Sequence, residues 1–459
     1  MHDVLDDRDL IPDEAEQLLH SGYPVQEELR LAREAAAASD LPQLRSIAQR
    51  LRTIARRDDW EFNEPNDELQ LIHLANQAQR KPFDRFTLST RIHGAWLGRC
   101  VANTLGKPIE GLTREEVRTY LTAADQWPQT GYVPLLEPLP AGVSHLHESA
   151  PFASAGRFDD DLDWTILGLA MLEQFGARIS TEDIARTWLD KLPFTQTFTA
   201  ERIAYRNLIR GAPAAEAAQL ENPYREWIGA LIRADIFGYI HPGDPAAAAA
   251  AALVDARLSH IGNGIYGEMW AAALVAAALA TDSATDALRT ALVVVPTNSR
   301  LEVALDAILK LHRDGATSDE ALAWVDDNLG HYNWVHTVNN AALITIGLLW
   351  GTDFTTCVAL TISGGRDTDS TAATVGSVFG ALHGSKSIPE DLVGTTHVRV
   401  RSSVRDFDRV TIAELASRTL ADFGAEVIKV ESTGYPDWWR GANFTEEFYR
   451  ERLYEKNSN

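Results

Sequence analysis

The chain has 459 residues, 45% of them hydrophobic, and a formal net charge of −23. That length suits one large core with extensions, or two domains, and the apolar content excludes an intrinsically disordered protein. The acidity argues against nucleic acid and anionic membrane surfaces as partners, since both need basic patches; it also suits carboxylates gathered to hold cations.

Met1 to Leu10 carries Asp3, Asp6 and Asp7 where a secretory signal would be basic and then apolar. No run reaches the roughly 18 apolar residues of a membrane helix. The Ala246–Ala252 run soon meets Asp255 and Arg257. Cys100 and Cys357 stand far apart and make neither a disulfide framework nor a thiolate zinc site. A soluble protein of a reducing cytoplasm is expected.

Helix signals dominate the chain. Residues 1–82 are charged and helical, and Lys81-Pro82 suits a boundary. Residues 83–389 form the main body and 390–459 a C-terminal extension. Thr113–Glu116, Thr317–Glu320 and Thr411–Glu414 each read as a capping box, and Asp244-Pro245 as an N-cap followed by proline in the first turn. Apolar residues recur three and four apart over Ile166–Phe175 and Leu301–Leu311. Pro134–Pro140 and His145–Phe158 read as a long loop. Val398–Val404 and Val427–Val430 are the best strand candidates in a chain predicted to be all-α. The tryptophans are expected mostly in the core and lining pockets.

Two acidic clusters stand out. The first, Asp159-Asp-Asp161, precedes the apolar stretch Ile166–Leu172. Adjacent carboxylates repel one another unless solvated or neutralised by a cation, although at a helix start they also complement the dipole. The second is Asp367-Thr-Asp369-Ser370, followed by Ala372, Gly376, Gly380 and Gly384 at every fourth position. Small residues on one helix face let another backbone approach closely. The acidic loop is therefore expected to enter a buried central helix, where carboxylates need a cation or donors. Each cluster alone also suits a capped helix start. Together, Asp159, Asp160, Asp161, Asp367, Asp369 and the Ser370 hydroxyl offer only oxygen ligands. These suit Mg²⁺ or Mn²⁺ rather than zinc, and so many carboxylates suit two ions about 3.5–4 Å apart.

These clusters, with Arg91–Arg99 running into Leu105-Gly-Lys-Pro-Ile-Glu-Gly111, resemble the ADP-ribosylglycohydrolases over roughly residues 85 to 390. Asn222–Gly229, Ser259–Gly267 and Asn339–Ala342 resemble bacterial members in the same order. The resemblance implies a compact all-helical multi-helix bundle and a binuclear Mg²⁺ or Mn²⁺ centre. It implies hydrolysis at C1″ of the distal ribose, releasing ADP-ribose from a protein side chain or small acceptor. Asp160 and Asp161 match the carboxylates of the family's Thr-Asp-Asp motif, with Asp159 at its threonine. Asp367 and Asp369 match Asp-x-Asp-Thr, with Ser370 at its threonine. Glu110 falls where several members carry a functional glutamate close to the metals. Glu110, Asp160 and Asp369 are the catalytic candidates. The other functions kept open are an N-ribosyl hydrolase of free nucleosides or nucleotides and an inactive ADP-ribose-binding protein.

Other motifs carry less. Gly262-Asn-Gly-Ile-Tyr-Gly267 matches a dinucleotide fingerprint, but a helix rather than a strand precedes it. It is read instead as a glycine-rich turn or a ligand loop, with His260, Asn263, Gly264 and Tyr266 as candidate substrate contacts. His145-Leu-His147 follows a proline-rich stretch and reads as a surface loop. Leu105-Gly-Lys-Pro lacks the Ser/Thr and upstream glycine of a P-loop. Leu420–Glu431 resembles a short piece of a family III CoA-transferase, too short to assign an activity.

Overall fold

The computed structural model describes residues 5–147, 158–176, 179–394 and 396–422. Val427–Val430 and most of Leu420–Glu431 lie outside the described residues.

The protein is all-α. Among the described residues there is no strand, only isolated bridges such as Arg399 with Thr411. Val398–Val404 is therefore not a strand. Its pairing stops at one bridge, where Val400 exchanges backbone hydrogen bonds with Val410 and Arg409, and Val400 and Val404 turn into the helical core. The reciprocal capping boxes at Thr113/Glu116 and Thr317/Glu320 start helices Arg114–Ala123 and Ser318–Leu329. Thr411 accepts from the Glu414 amide at the start of helix Ile412–Asp422.

Two helices, Arg85–Gly106 and Thr368–His383, lie against each other through the middle of the molecule. Both carry small residues at every fourth position: Gly94, Gly98, Ala102 and Gly106 on one, Ala372, Gly376 and Gly380 on the other. A Cβ added to Gly380 would meet the Gly94 backbone, and one added to Gly376 would meet the Gly98 carbonyl. The seam thus runs backbone to backbone, as the spacing in the second helix predicts. Arg91 closes its outer end by donating to the carbonyls of Ala278, Thr281 and Ala381. Arg99, fully buried, pairs with Asp235 at 2.7 Å and donates to the Asp161 carbonyl at 2.6 Å, fixing the start of helix Asp160–Phe175 against the seam.

Helix Asn263–Ala278 is buried along its whole length. Residues 400–420 add Val404, Phe407, Leu415 and Leu420 to the same main core, and Trp96 donates to the Thr419 hydroxyl at 3.0 Å. The N-terminal helices Asp7–His20, Gln26–Ala37 and Leu41–Leu51 enclose a small core of their own. They meet the body through polar contacts: Tyr224 with Asp13, Arg225 with Glu14, and Gln17 with Glu226 at 2.6 Å. Among the described residues, no helix is long and apolar enough to cross a membrane.

Candidate metal centre and active site

The seam's inner end is the candidate site. Helix Arg85–Gly106 stops where Gly106 presses on Thr368 and Asp369, and the Thr368 hydroxyl donates to the Gly106 carbonyl at 2.8 Å. Pro108 sits in the short 3₁₀ turn Lys107–Ile109, after which Glu110 is extended. The Gly111 amide donates to the Arg366 carbonyl, and the Arg366 amide to the Leu112 carbonyl, at 2.8 and 2.7 Å. Gly365 and Arg366 both have positive φ, at 64° and 68°. That double reversal, which glycine makes accessible at the first position, swings the chain so that Asp367 takes the N-cap position of helix Thr368–His383 with its carboxylate left free of the helix amides. The loop carrying Glu110 and the loop carrying Asp367 are thereby pinned together.

From the third side comes Asp159, the N-cap of helix Asp160–Phe175, accepting from the Asp161 amide at 3.1 Å. Asn103 donates to both Asp159 and Asp161, and the Ser370 hydroxyl donates to Asp161 at 2.9 Å. Asp163, one turn on, accepts from the Ser402 and Ser403 hydroxyls and the Ser403 amide, and so anchors the C-terminal segment.

Two carboxylate groups converge: Glu110, Asp367 and Asp369 form one, Asp159, Asp161 and Asp369 the other. Within each, one oxygen per residue lies within 4.8 Å of the others. Asp369 belongs to both. Ser370 reaches the centre through Asp161, while Asp160, half-buried, belongs to neither group. Asp369 Oδ1 is buried with no hydrogen-bond partner. Such an oxygen in an all-oxygen donor set fits a hard divalent cation.

The electrostatics agree. Burial and the charge of Asp369 push Glu110 up to about 7, although Lys107 opposes this. Burial and the neighbouring Asp369 likewise drive Asp161 and Asp367 well above the usual carboxylate range. Burial would also raise Asp369, but the Lys107 ammonium holds it below its ordinary value. Desolvation works against the Lys107 charge, yet Asp159 and Asp369 keep that ammonium protonated.

Lys107 is the residue that sequence reading missed. Its Nζ lies 2.7 Å from Asp369, 2.9 Å from Glu110 and 3.2 Å from Asp159. The signal is the Lys107/Glu110 spacing in a proline-fixed turn, a segment whose sequence points to Glu110 and not to the lysine. His145-Leu-His147 does lie in a loop, but that loop borders the centre. His147 Nε2 is 3.4 Å from Glu110 Oε2, and His145 Nε2 is 3.2 Å from the Glu110 carbonyl.

The candidate substrate contacts lie elsewhere, in the core. His260 is fully buried, with Nδ1 2.7 Å from the Ser259 hydroxyl, which also accepts from Arg233. Asn263 donates to Glu226 and Glu64 and accepts from the Leu301 amide. Tyr266 donates to the Pro65 carbonyl at 2.5 Å, and a Cβ on Gly264 would meet the Arg225 carbonyl at 2.6 Å. These groups, with Arg300 bridging Glu64 and Glu226, tie distant segments together. Among the described residues, no hydrogen bond or ion pair joins them to the acidic centre. Gly262, with φ of 51°, opens helix Asn263–Ala278, and among the described residues there is no strand to support a dinucleotide fold.

Comparison with known proteins places this geometry. The ADP-ribosylglycohydrolase family model matches residues 85–426. A family III CoA-transferase model matches residues 402–458, a short segment mostly outside the described residues. No curated protein matches. A solved "ADP-ribosylglycohydrolase-related protein complex" is similar at 20% identity, with a TM-score of 0.46, covering 74% of this chain and 98% of its own. The family match takes in most of the chain, including both acidic clusters, Lys107 and Glu110: the chain belongs to the ADP-ribosylglycohydrolases, a family of glycosidic hydrolases.

Proposed function

We propose that the protein is a divalent-cation-dependent hydrolase that cleaves the glycosidic bond at C1″ of the distal ribose of an ADP-ribosyl substrate. It thereby frees ADP-ribose from a protein side chain or a small acceptor. The observation that carries this reading is the convergence of Glu110, Asp159, Asp161, Asp367 and Asp369 from three separate elements, with a buried oxygen of Asp369 and one of Glu110 accepting no hydrogen bond. These residues would hold Mg²⁺ or Mn²⁺, with Asp160 and Ser370 beside them. When bound, the ion supplies a hold on vicinal ribose hydroxyls and a polarised water.

The side chains account for the rest. Cleavage at C1″ builds positive charge on the ribose, and a concentration of carboxylates favours that charge. The attacking water must lose a proton. Glu110, on the loop beside the converging carboxylates and 3.4 Å from His147, suits a base that accepts that proton on its carboxylate. Asp160 and Asp369 share the task of orienting the water. Asn103 and Ser370 hold the Asp161 carboxylate, and Arg99 holds the Asp161 backbone carbonyl.

Mass spectrometry of products from ADP-ribosylated protein, ADP-ribosyl-arginine and NAD tests this reading. Free ADP-ribose, lost on chelation and restored by Mg²⁺ or Mn²⁺, is expected. Release of a free base from simple nucleosides would point to an N-ribosyl hydrolase. Binding of ADP-ribose without turnover of any substrate would sink the enzymatic reading.

A further inference from the structure

We propose that Lys107 is a built-in cation of the acidic centre, so that the centre takes one divalent ion per chain rather than two. The inference rests on the cation-dependent reading above. The carboxylates that Lys107 touches span both converging groups: Glu110 belongs to one, Asp159 to the other and Asp369 to both. The ammonium donates to Asp369 and lies within ion-pair distance of Glu110 and Asp159, so all three carboxylates share its charge. It neutralises charge at the junction where ions of a binuclear pair would share ligands.

A second ion would have to displace it. Hard cations need oxygens at about 2.0–2.6 Å, and a bridged pair stands about 3.5–4 Å apart. One oxygen each of Glu110, Asp159 and Asp369 is already committed to Nζ. An ion bound through those same oxygens would sit against the ammonium, where two positive charges with little water between them repel strongly. The backbone gives Lys107 little room to withdraw: Gly106 before it is wedged on Thr368, and Pro108 and Ile109 after it are buried. The oxygens that remain suit one ion. Asp369 Oδ1 is buried and unpaired, and Asp161 and Asp367 each lie in a converging group with Asp369.

Mn²⁺ binding to the full chain decides the matter. Equilibrium dialysis of wild type is expected to give one Mn²⁺ per chain, with the electron paramagnetic resonance spectrum of an isolated ion. Lys107→Met should hold two ions with a spin-coupled spectrum, and Lys107→Arg should remain at one. Two coupled ions in wild type, or the same count in wild type and Lys107→Met, would overturn the proposal while leaving cation dependence intact. No bound Mn²⁺ in any of the proteins would overturn the cation-dependent reading and this proposal together. Circular dichroism checks that each variant folds; if Lys107→Met does not, the wild-type count and spectrum decide alone.

Discussion

Gly380→Leu tests the central seam directly. A Cβ at this position would fall 2.6 Å from the Ala95 amide nitrogen and closer still to the Gly94 carbonyl group. The obstacle is backbone on a buried helix, so no rotamer change relieves it, and the helices must separate. Overpacking a core costs about 1–3 kcal/mol, and a backbone clash extended by the rest of a leucine belongs at or above the top of that range. Unfolding entropy of about 2.1 cal/mol/K per residue gives about 1 kcal/mol per kelvin for 459 residues. Differential scanning calorimetry should therefore show Tm lowered by about 3 °C or more, with Gly380→Ala between this variant and wild type. Activity should fall as well, because the same seam ends at the Gly106–Thr368 contact beside Lys107 and Asp369. A Gly380→Leu protein melting with wild type would show that the helices do not touch there.

Asp367→Asn and Asp369→Asn should each abolish turnover with a native circular dichroism spectrum, since each removes a charge from the convergent centre; near-normal hydrolysis by either folded variant would misplace the site. Glu110→Gln should lower kcat at least tenfold, about 1.4 kcal/mol in activation free energy, and wild-type turnover in steady-state assays would remove Glu110 from water activation. In metal-free protein, Glu110 is raised from 4.5 to about 7, so the folded state binds its proton more tightly than the unfolded chain does. That stabilisation is full below the unfolded value and is lost as pH rises through the folded one. Melting in chelator should accordingly fall across that window, whereas Mg²⁺ at a hundred times its Kd should add about 2.7 kcal/mol; a melting temperature indifferent to both pH and Mg²⁺ would contradict the buried-carboxylate picture.

What was legible in the sequence is what local spacing encodes. The capping boxes at Thr113 and Thr317 depend on residues three apart and formed as read. The acidic clusters sit at helix starts, where short-range signals are strong. What was not legible depends on partners distant in sequence. His260, Asn263 and Tyr266 have the spacing of a ligand loop, but Glu226, Arg300 and the segment at Glu64–Pro65 arrive from elsewhere and bury that loop in a polar network. Val398–Val404 has strand composition, yet a strand needs a longer run of pairing, and among the described residues this segment finds a single bridge, Arg399 with Thr411. Lys107 and His147 carry no periodic signal, because a loop side chain acquires its role from what the fold sets opposite it.

The seam explains why the two acidic clusters can act as one site. The spacing Ala372, Gly376, Gly380 reads as one half of a close contact, and its complement, Gly94, Gly98, Ala102 and Gly106, has the same period in the first core helix. Complementary stripes fix both the separation and the register of two helices, since sliding either by one residue would put a side chain against backbone. The register carries through to Gly106 on Thr368, so Lys107 and Glu110 emerge opposite Asp367 and Asp369 with little freedom to drift. A buried cluster of like charges would otherwise push its own loops apart. Here the repulsion works against a close backbone contact, and Arg99, Asn103 and Ser370 draw in the third segment of the site, at Asp159 and Asp161, by hydrogen bonds. The glycines of the seam are therefore part of the chemistry: they hold the carboxylates close enough to need a cation.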